Sequence, residues 1–171
     1  KGEFSMSAGI IQENYASLNG GGVSCYVSRI PGNIIATIAG GKIFRNEAGI
    51  SGGGIDLYAD KERVNNEKNI VEVNLTGGIL DSNSAKDGGG IYVGINLDNS
   101  TAEMTISSSY TESTIRNNIA TGNGGAIGLN HGTVTVNSGN FFNNTAENGG
   151  AIYLGEGNMS MNNIYIDRNT A

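Results

Sequence analysis

Tryptophan is absent from this chain of 171 residues, and proline, cysteine and histidine occur once each. A single cysteine, Cys25, excludes an internal disulfide framework. With only His131 beside it, the chain also lacks the soft ligands of a zinc site. Basic residues are few: 10 Lys and Arg stand against 16 Asp and Glu, for a net charge of −6. The basic face that nucleic acid requires is therefore missing. No apolar run approaches the roughly 20 residues of a membrane-spanning helix. Lys1 to Ile10 lacks the continuous apolar segment of a secretory signal. No aspartate-rich calcium nonapeptide occurs, and neither a metal nor a cofactor is expected.

What is abundant is glycine, 28 residues, about twice the usual share. These glycines recur at fixed places in a block. The block is an apolar residue, two variable residues, Asn, one variable residue, Ala, a short gap, two or three glycines and an aliphatic residue. It runs from Ile11, Asn14 and Ala16 to Gly21-Gly22-Val23, and from Ile43, Asn46 and Ala48 to Gly53-Gly54-Ile55. It returns at Leu80, Asn83 and Ala85 with Gly89-Gly90-Ile91, and at Ile115, Asn118 and Ala120 with Gly124-Gly125-Ala126-Ile127. The fifth copy is Phe141, Asn144 and Ala146 with Gly149-Gly150-Ala151-Ile152, and a sixth begins at Ile166, Asn169 and Ala171. The last asparagines lie 26 and 25 residues apart, which sets a minimal unit of about 25 residues.

Period-two alternation follows each glycine block, as in a strand with one buried face. Val23 and Cys25, Ile55 and Leu57, Ile91 and Val93, Ile127 and Leu129, and Ile152 and Leu154 are the inward pairs. A second set precedes each motif: Phe4 and Met6, Ala36 and Ile38, Val71 and Val73, Met104 and Ile106, Val134 and Val136, Met159 and Met161. Helical spacing is absent, and glycine pairs break helices. The pattern predicts an all-β chain: a right-handed single-stranded parallel β-helix, or solenoid, of about six turns with three short strands per turn. Successive turns then stack about 4.8 Å apart. Asn14, Asn46, Asn83, Asn118, Asn144 and Asn169 fall in one column and are expected to form an amide ladder.

With Gly-Gly-Ala-Ile at 124–127 and 149–152 and Phe-x-x-Asn at 141–144, the chain resembles the polymorphic outer membrane protein repeats first described in chlamydiae. Gly-Gly-Gly-Ile at 52–55 and 88–91 and Gly-Gly-Gly-Val at 20–23 are variants, and Ile or Leu replaces Phe elsewhere. The resemblance covers the whole chain. It implies an adhesin-like or autotransporter-passenger-like protein located extracellularly, at the cell surface or in the outer membrane.

The extra length of the first three turns falls at one corner, in stacked loops at 26–35, 58–70 and 94–103. Loops on a rigid scaffold are common binding elements. Tyr26, Arg29, Tyr58, Asp60, Lys61, Arg63, Asp98 and Asn99 are the candidates there, for a glycan or a host-surface ligand. The competing reading is neutral decoration, since surface insertions cost little. Parallel β-helices also host polysaccharide-degrading enzymes, which need paired carboxylates. The outward columns, Ser24, Asp56, Tyr92, Gly128 and Tyr153, and Ser5, Thr37, Glu72, Thr105, Thr135 and Ser160, offer one acid each. No enzyme is expected. His131, beside Gly132, is expected to be an exposed corner residue, and Cys25 a buried small hydrophobe.

The chain is expected to be one β-helix domain over 1–171, a segment of a longer solenoid with uncapped ends. Uncapped ends expose strand edges. The expected partners are therefore other turns of a longer chain, or further copies stacked end to end.

Overall fold

In the computed structural model the described residues are 1–29, 32–62, 69–95, 101–107 and 113–171. They wind into a parallel β-helix with no helices among them. Sheet 1 stacks Gly2–Met6, Asn33–Ile38, Ile70–Leu75, Thr101–Ile106, Thr133–Val136 and Asn158–Met161. Sheet 2 stacks Ile10–Gln12, Lys42–Phe44, Ile79–Asp81, Thr114–Arg116, Gly139–Phe142 and Ile164–Asp167. Sheet 3 holds Tyr15–Ala16, Glu47–Ala48, Ser84–Ala85 and Ile119–Ala120. Sheet 4 holds Val23–Arg29, Ile55–Glu62, Ile91–Ile95, Ile127–Leu129 and Ile152–Leu154.

Each of the first four turns thus has four strands where three were expected. The motif strand breaks in two immediately before the asparagine. There Glu13, Arg45, Ser82, Asn117, Asn143 and Arg168 take left-handed conformations, with φ between 52° and 57°. That bend separates sheet 2 from the two-residue strands of sheet 3.

The core is a set of aliphatic columns closed off from water. Ile38, Leu75, Ile106 and Val136 from sheet 1 and Leu57, Val93 and Leu129 from sheet 4 are no more than 2% exposed. Ile43, Leu80, Ile115 and Phe141 complete it from sheet 2. Burial of each contributes roughly 1.5–3 kcal/mol. On the end faces the same columns open to solvent, at Phe4 on one side and at Leu154, Met161 and Ile166 on the other.

One register differs from expectation. Ala36 pairs with Val73 and Ile38 with Leu75, so Val71 lies opposite Ile34. The outward column therefore runs Ser5, Thr37, Asn74, Thr105, Thr135 and Ser160. Glu72 moves one place along and sits beside Glu103 on the adjacent turn, so one outward column does carry two neighbouring acids.

The inserted segments are also not simply loops. Sheet 4 extends to Arg29, Glu62 and Ile95, and sheet 1 begins at Asn33, Ile70 and Thr101. The added residues keep the alternation. Val27, Ala59 and Ile95 stack inward on one side, and Ile34, Val71 and Ala102 on the other. The first three turns are therefore wider, and the insertion adds core. Asn69, fully buried, ties this widened corner: its Nδ2 donates to the Asp60 carbonyl at 2.9 Å and its Oδ1 accepts from Gly32 N at 3.1 Å.

The glycine block divides its work. The first of each block, such as Gly52, has positive φ (63°). The second packs against the adjacent turn: a Cβ on Gly53 would strike the carbonyl oxygens of Gly89 and Ser84. The third position is less tight, and Ala126 occupies it fully buried.

Candidate functional site

The bend before each asparagine takes that residue's N–H out of ordinary strand pairing. The side chain of the next turn supplies the missing acceptor. Asn46 N and Nδ2 both donate to Asn83 Oδ1, at 3.1 and 3.0 Å, and Asn83 N and Nδ2 donate likewise to Asn118 Oδ1 at 2.9 and 3.0 Å. The pattern runs unbroken from Asn14 to Asn169. From Asn46 onward each Nδ2 also donates backwards to the motif strand of the preceding turn, as Asn83 does to Ile43 O at 3.0 Å and Asn118 to Leu80 O at 3.2 Å. Asn46, Asn83, Asn118 and Asn144 are buried. One amide therefore joins three turns and leaves neither of its donors unmet.

A second polar column lies just before the glycines, where Asn19, Ser51, Asp87, Asn123 and Asn148 bridge from turn to turn. Asp87 Oδ1 accepts from Asn123 N and Nδ2 at 3.0 and 2.9 Å, and Asn148 Nδ2 donates to Asn123 Oδ1 at 3.1 Å. Sequence reading missed this column because its residue type varies. The signal was positional: a short polar side chain always precedes the first glycine.

On sheet 2 the outward column binds strands through charge. Arg116 donates to Asp81 Oδ2 from Nε at 3.1 Å and Nη2 at 2.9 Å, and Lys42 Nζ lies 3.2 Å away. Asn117 and Ser82 donate to Asp81 Oδ1, each at 2.9 Å. Burial pushes the Asp81 carboxyl up, but these four donors together outweigh it and hold the group down at about 2.

The outer face of sheet 4 carries most of the remaining chemistry. Tyr26 and Tyr58 are in register and their rings stack, with centroids 5.8 Å apart and planes at 23°. The Tyr26 hydroxyl donates to Asp60 Oδ2 at 3.2 Å, beside a groove lined by Leu18, Asn19 and Ser24. Three expected binding residues therefore meet. Arg29 and Lys61 fall on the extended strands of the same sheet, whereas Arg63, Asp98 and Asn99 lie outside the described residues.

Asp56 belongs to an outward column yet is fully buried, folded against the corner at 51–52. Its Oδ1 lies 2.7 Å from Ser51 Oγ, which is also 3.1 Å from Asn19 Oδ1, and its Oδ2 has no partner. One hydroxyl hydrogen cannot serve two acceptors. The Ser51 hydroxyl donates to the Asp56 carboxyl, the shorter of its two contacts. Burial pushes this carboxyl up to about 6 against the opposing hydrogen bond from Ser51.

Cys25 is 3% exposed, and burial pushes its thiol up to about 11, which makes it a poor nucleophile. His131 differs from expectation: its side chain is only 19% exposed. It covers the ledge where the wide third turn projects past the narrow fourth, beside Ile95, Thr101 and Ala102, with Nε2 3.2 Å from Glu156 Oε2. Among the described residues no three of His, Cys, Asp and Glu gather as a metal-holding group.

Stacked, in-register turns joined by internal amide ladders define a parallel β-helical repeat solenoid. Two of its turns, residues 112–129 and 138–155, match the Chlamydia polymorphic membrane protein repeat. Neither a curated protein nor a solved structure matches the chain.

Proposed function

We propose that the chain is part of an extracellular or outer-membrane surface protein, in which it serves as a non-enzymatic β-helical stalk or adhesin-like scaffold. The observation that carries this reading is the pairing of a membrane-protein repeat with turns that satisfy one another. Each turn uses its polar interior to hold the next turn. The product is a rod that lengthens by addition. Further turns of a longer chain, or a second copy stacked end to end, cover the apolar residues of the end faces. No helix of the described residues is long and apolar enough to cross a membrane.

Antibodies raised against the recombinant chain test the location. They are expected to label intact cells of the native source, and brief external protease treatment should remove the label. Labelling only after permeabilisation overturns the reading. Release of new reducing ends from a panel of polysaccharides would overturn its non-enzymatic part.

A ligand-binding surface at the widened corner is the second reading. The stacked, partly exposed Tyr26 and Tyr58 with Asp60 favour it, because rings beside a carboxylate suit a glycan or a host-surface ligand.

A further inference from the structure

Beyond the scaffold role, and away from the Tyr26 and Tyr58 stack, sheet 4 has a second feature on its outer face. Along one outward column Tyr92, Gly128 and Tyr153 are in register on three successive turns. Along the next column, the corresponding residues are Gly94, Asn130 and Gly155. Large and small residues alternate in both directions, like a checkerboard. The missing side chain at Gly128 leaves a cavity of about 120 Å³ between the two tyrosines, lined also by Asp87, Asn123 and Asn130.

Neighbouring residues hold this gap open. Tyr92 leans along its strand over Gly94, where a Cβ would meet its Cε1 at 2.7 Å and its hydroxyl oxygen at 3.1 Å. The Tyr92 hydroxyl is hydrogen-bonded to Asn130, whose Oδ1 would lie 3.1 Å from a Cβ at Gly155. Asp87 is oriented by its two bonds from Asn123. At Gly128 a Cβ would meet Gly88 N at 2.9 Å, so the position stays without a side chain. The polar groups are therefore placed before any ligand arrives, which limits the ordering cost of binding.

We propose that this cavity binds one pyranose ring of a glycan, between Tyr92 and Tyr153. Three observations select that chemistry. Two strand steps separate the tyrosine Cα atoms by about 9.5 Å, close to what one saturated ring between two side chains needs. Tyrosines present apolar faces that match the C–H faces of a sugar. Asp87, Asn123 and Asn130 offer both acceptors and donors, the mixture that hydroxyl groups require. A bare apolar ligand would shut water away from the remaining donors and acceptors of these groups without replacing it, and an anion would face the Asp87 carboxylate.

The test uses the whole chain and a panel of methyl glycosides of glucose, galactose, mannose and N-acetylglucosamine. Saturation-transfer NMR at roughly 10 mM ligand detects millimolar binding. At least one glycoside is expected to give a signal, and Tyr153→Ala should weaken it about tenfold or more. Asn130→Ala should weaken the same signal, while Tyr165→Ala, on sheet 2, should leave it unchanged. Circular dichroism melts of all variants show whether each still folds. No signal from any glycoside, or a signal that a folded Tyr153→Ala retains, overturns the proposal.

Discussion

At the scale of single residues, one amide does three jobs in every turn. Replacing Asn83 with Ala strips the acceptor from Asn46 N and Nδ2 and the donors from Asn118 and Ile43. Unmet buried groups cost about 1–3 kcal/mol each, so Asn83→Ala is expected to lose roughly 3–5 kcal/mol in urea unfolding. Asn83→Asp should be no better, since its carboxylate sets acceptors against acceptors. Asn14, which is exposed, should lose about 1 kcal/mol. Equal costs at positions 14 and 83 would refute the ladder as a stabilising element.

Asp56 gives the second residue-scale test. Its folded value, about 6, lies above the unfolded value near 3.9. The stability it contributes is fully present below about pH 4 and is lost as pH rises through 6. Acidification from pH 7.5 to 5 should therefore stabilise the protein, with on the order of 1 kcal/mol arising at this one site. In Asp56→Asn that gain should shrink and the stability at pH 7.5 should rise. An unchanged pH profile would show that Asp56 does not carry the effect.

At the scale of elements, Asp81 ties neighbouring strands of sheet 2 and behaves in the opposite sense. With the folded value lowered to about 2, its stabilisation is present above about pH 4 and is lost as pH falls toward 2. Asp81→Asn should cost about 1–2 kcal/mol at pH 7, and the difference from wild type should narrow from about pH 4 and close near pH 2. The glycine corner makes a sharper prediction. Gly53→Ala sets a methyl group against two backbone carbonyls, whereas Gly90→Ala meets one, that of Ala126, at 2.7 Å. Gly53→Ala is expected to cost more than about 3 kcal/mol or to block folding, and Gly90→Ala roughly 1–2 kcal/mol. Similar melts for the two variants would contradict this division.

How far the elements could be read from sequence follows from the same physics. The inward pairs of sheet 4 were legible because each follows a glycine block that fixes its phase. The third strand of sheet 1 was not. Ile70–Leu75 alternates over its whole length, and a two-residue slip leaves every side chain on its original face, so periodicity cannot detect it. The two-residue strands of sheet 3 are too short to show a period. Asp56 looked exposed because alternation gives a direction from the strand but not the corner that later covers it. The cavity at Gly128 depends on Tyr92 leaning over Gly94 and on Asp87 arriving from another corner, and neither is encoded in one column. The widened corner read as loops because its inward residues, Val27, Ala59 and Ile95, share no motif.

At the scale of the whole molecule, contacts run between adjacent turns, so stability should accrue turn by turn. The apolar residues on the end faces then become the test of self-association. If copies stack end to end, concentrated protein should form particles larger than one chain in light scattering, and Met161→Lys should return them to monomers. Assembly untouched by Met161→Lys would place the contact elsewhere.

The asparagine ladder also has a direction. Every Oδ1 accepts from the lower-numbered turn, and every backbone N–H in the column points to the higher-numbered one. An inverted neighbour would not continue this sequence of bonds. A layer that extends the ladder joins with the same polarity, head to tail. Such a rod has two chemically different tips and cannot close on itself as a symmetric pair of ends would.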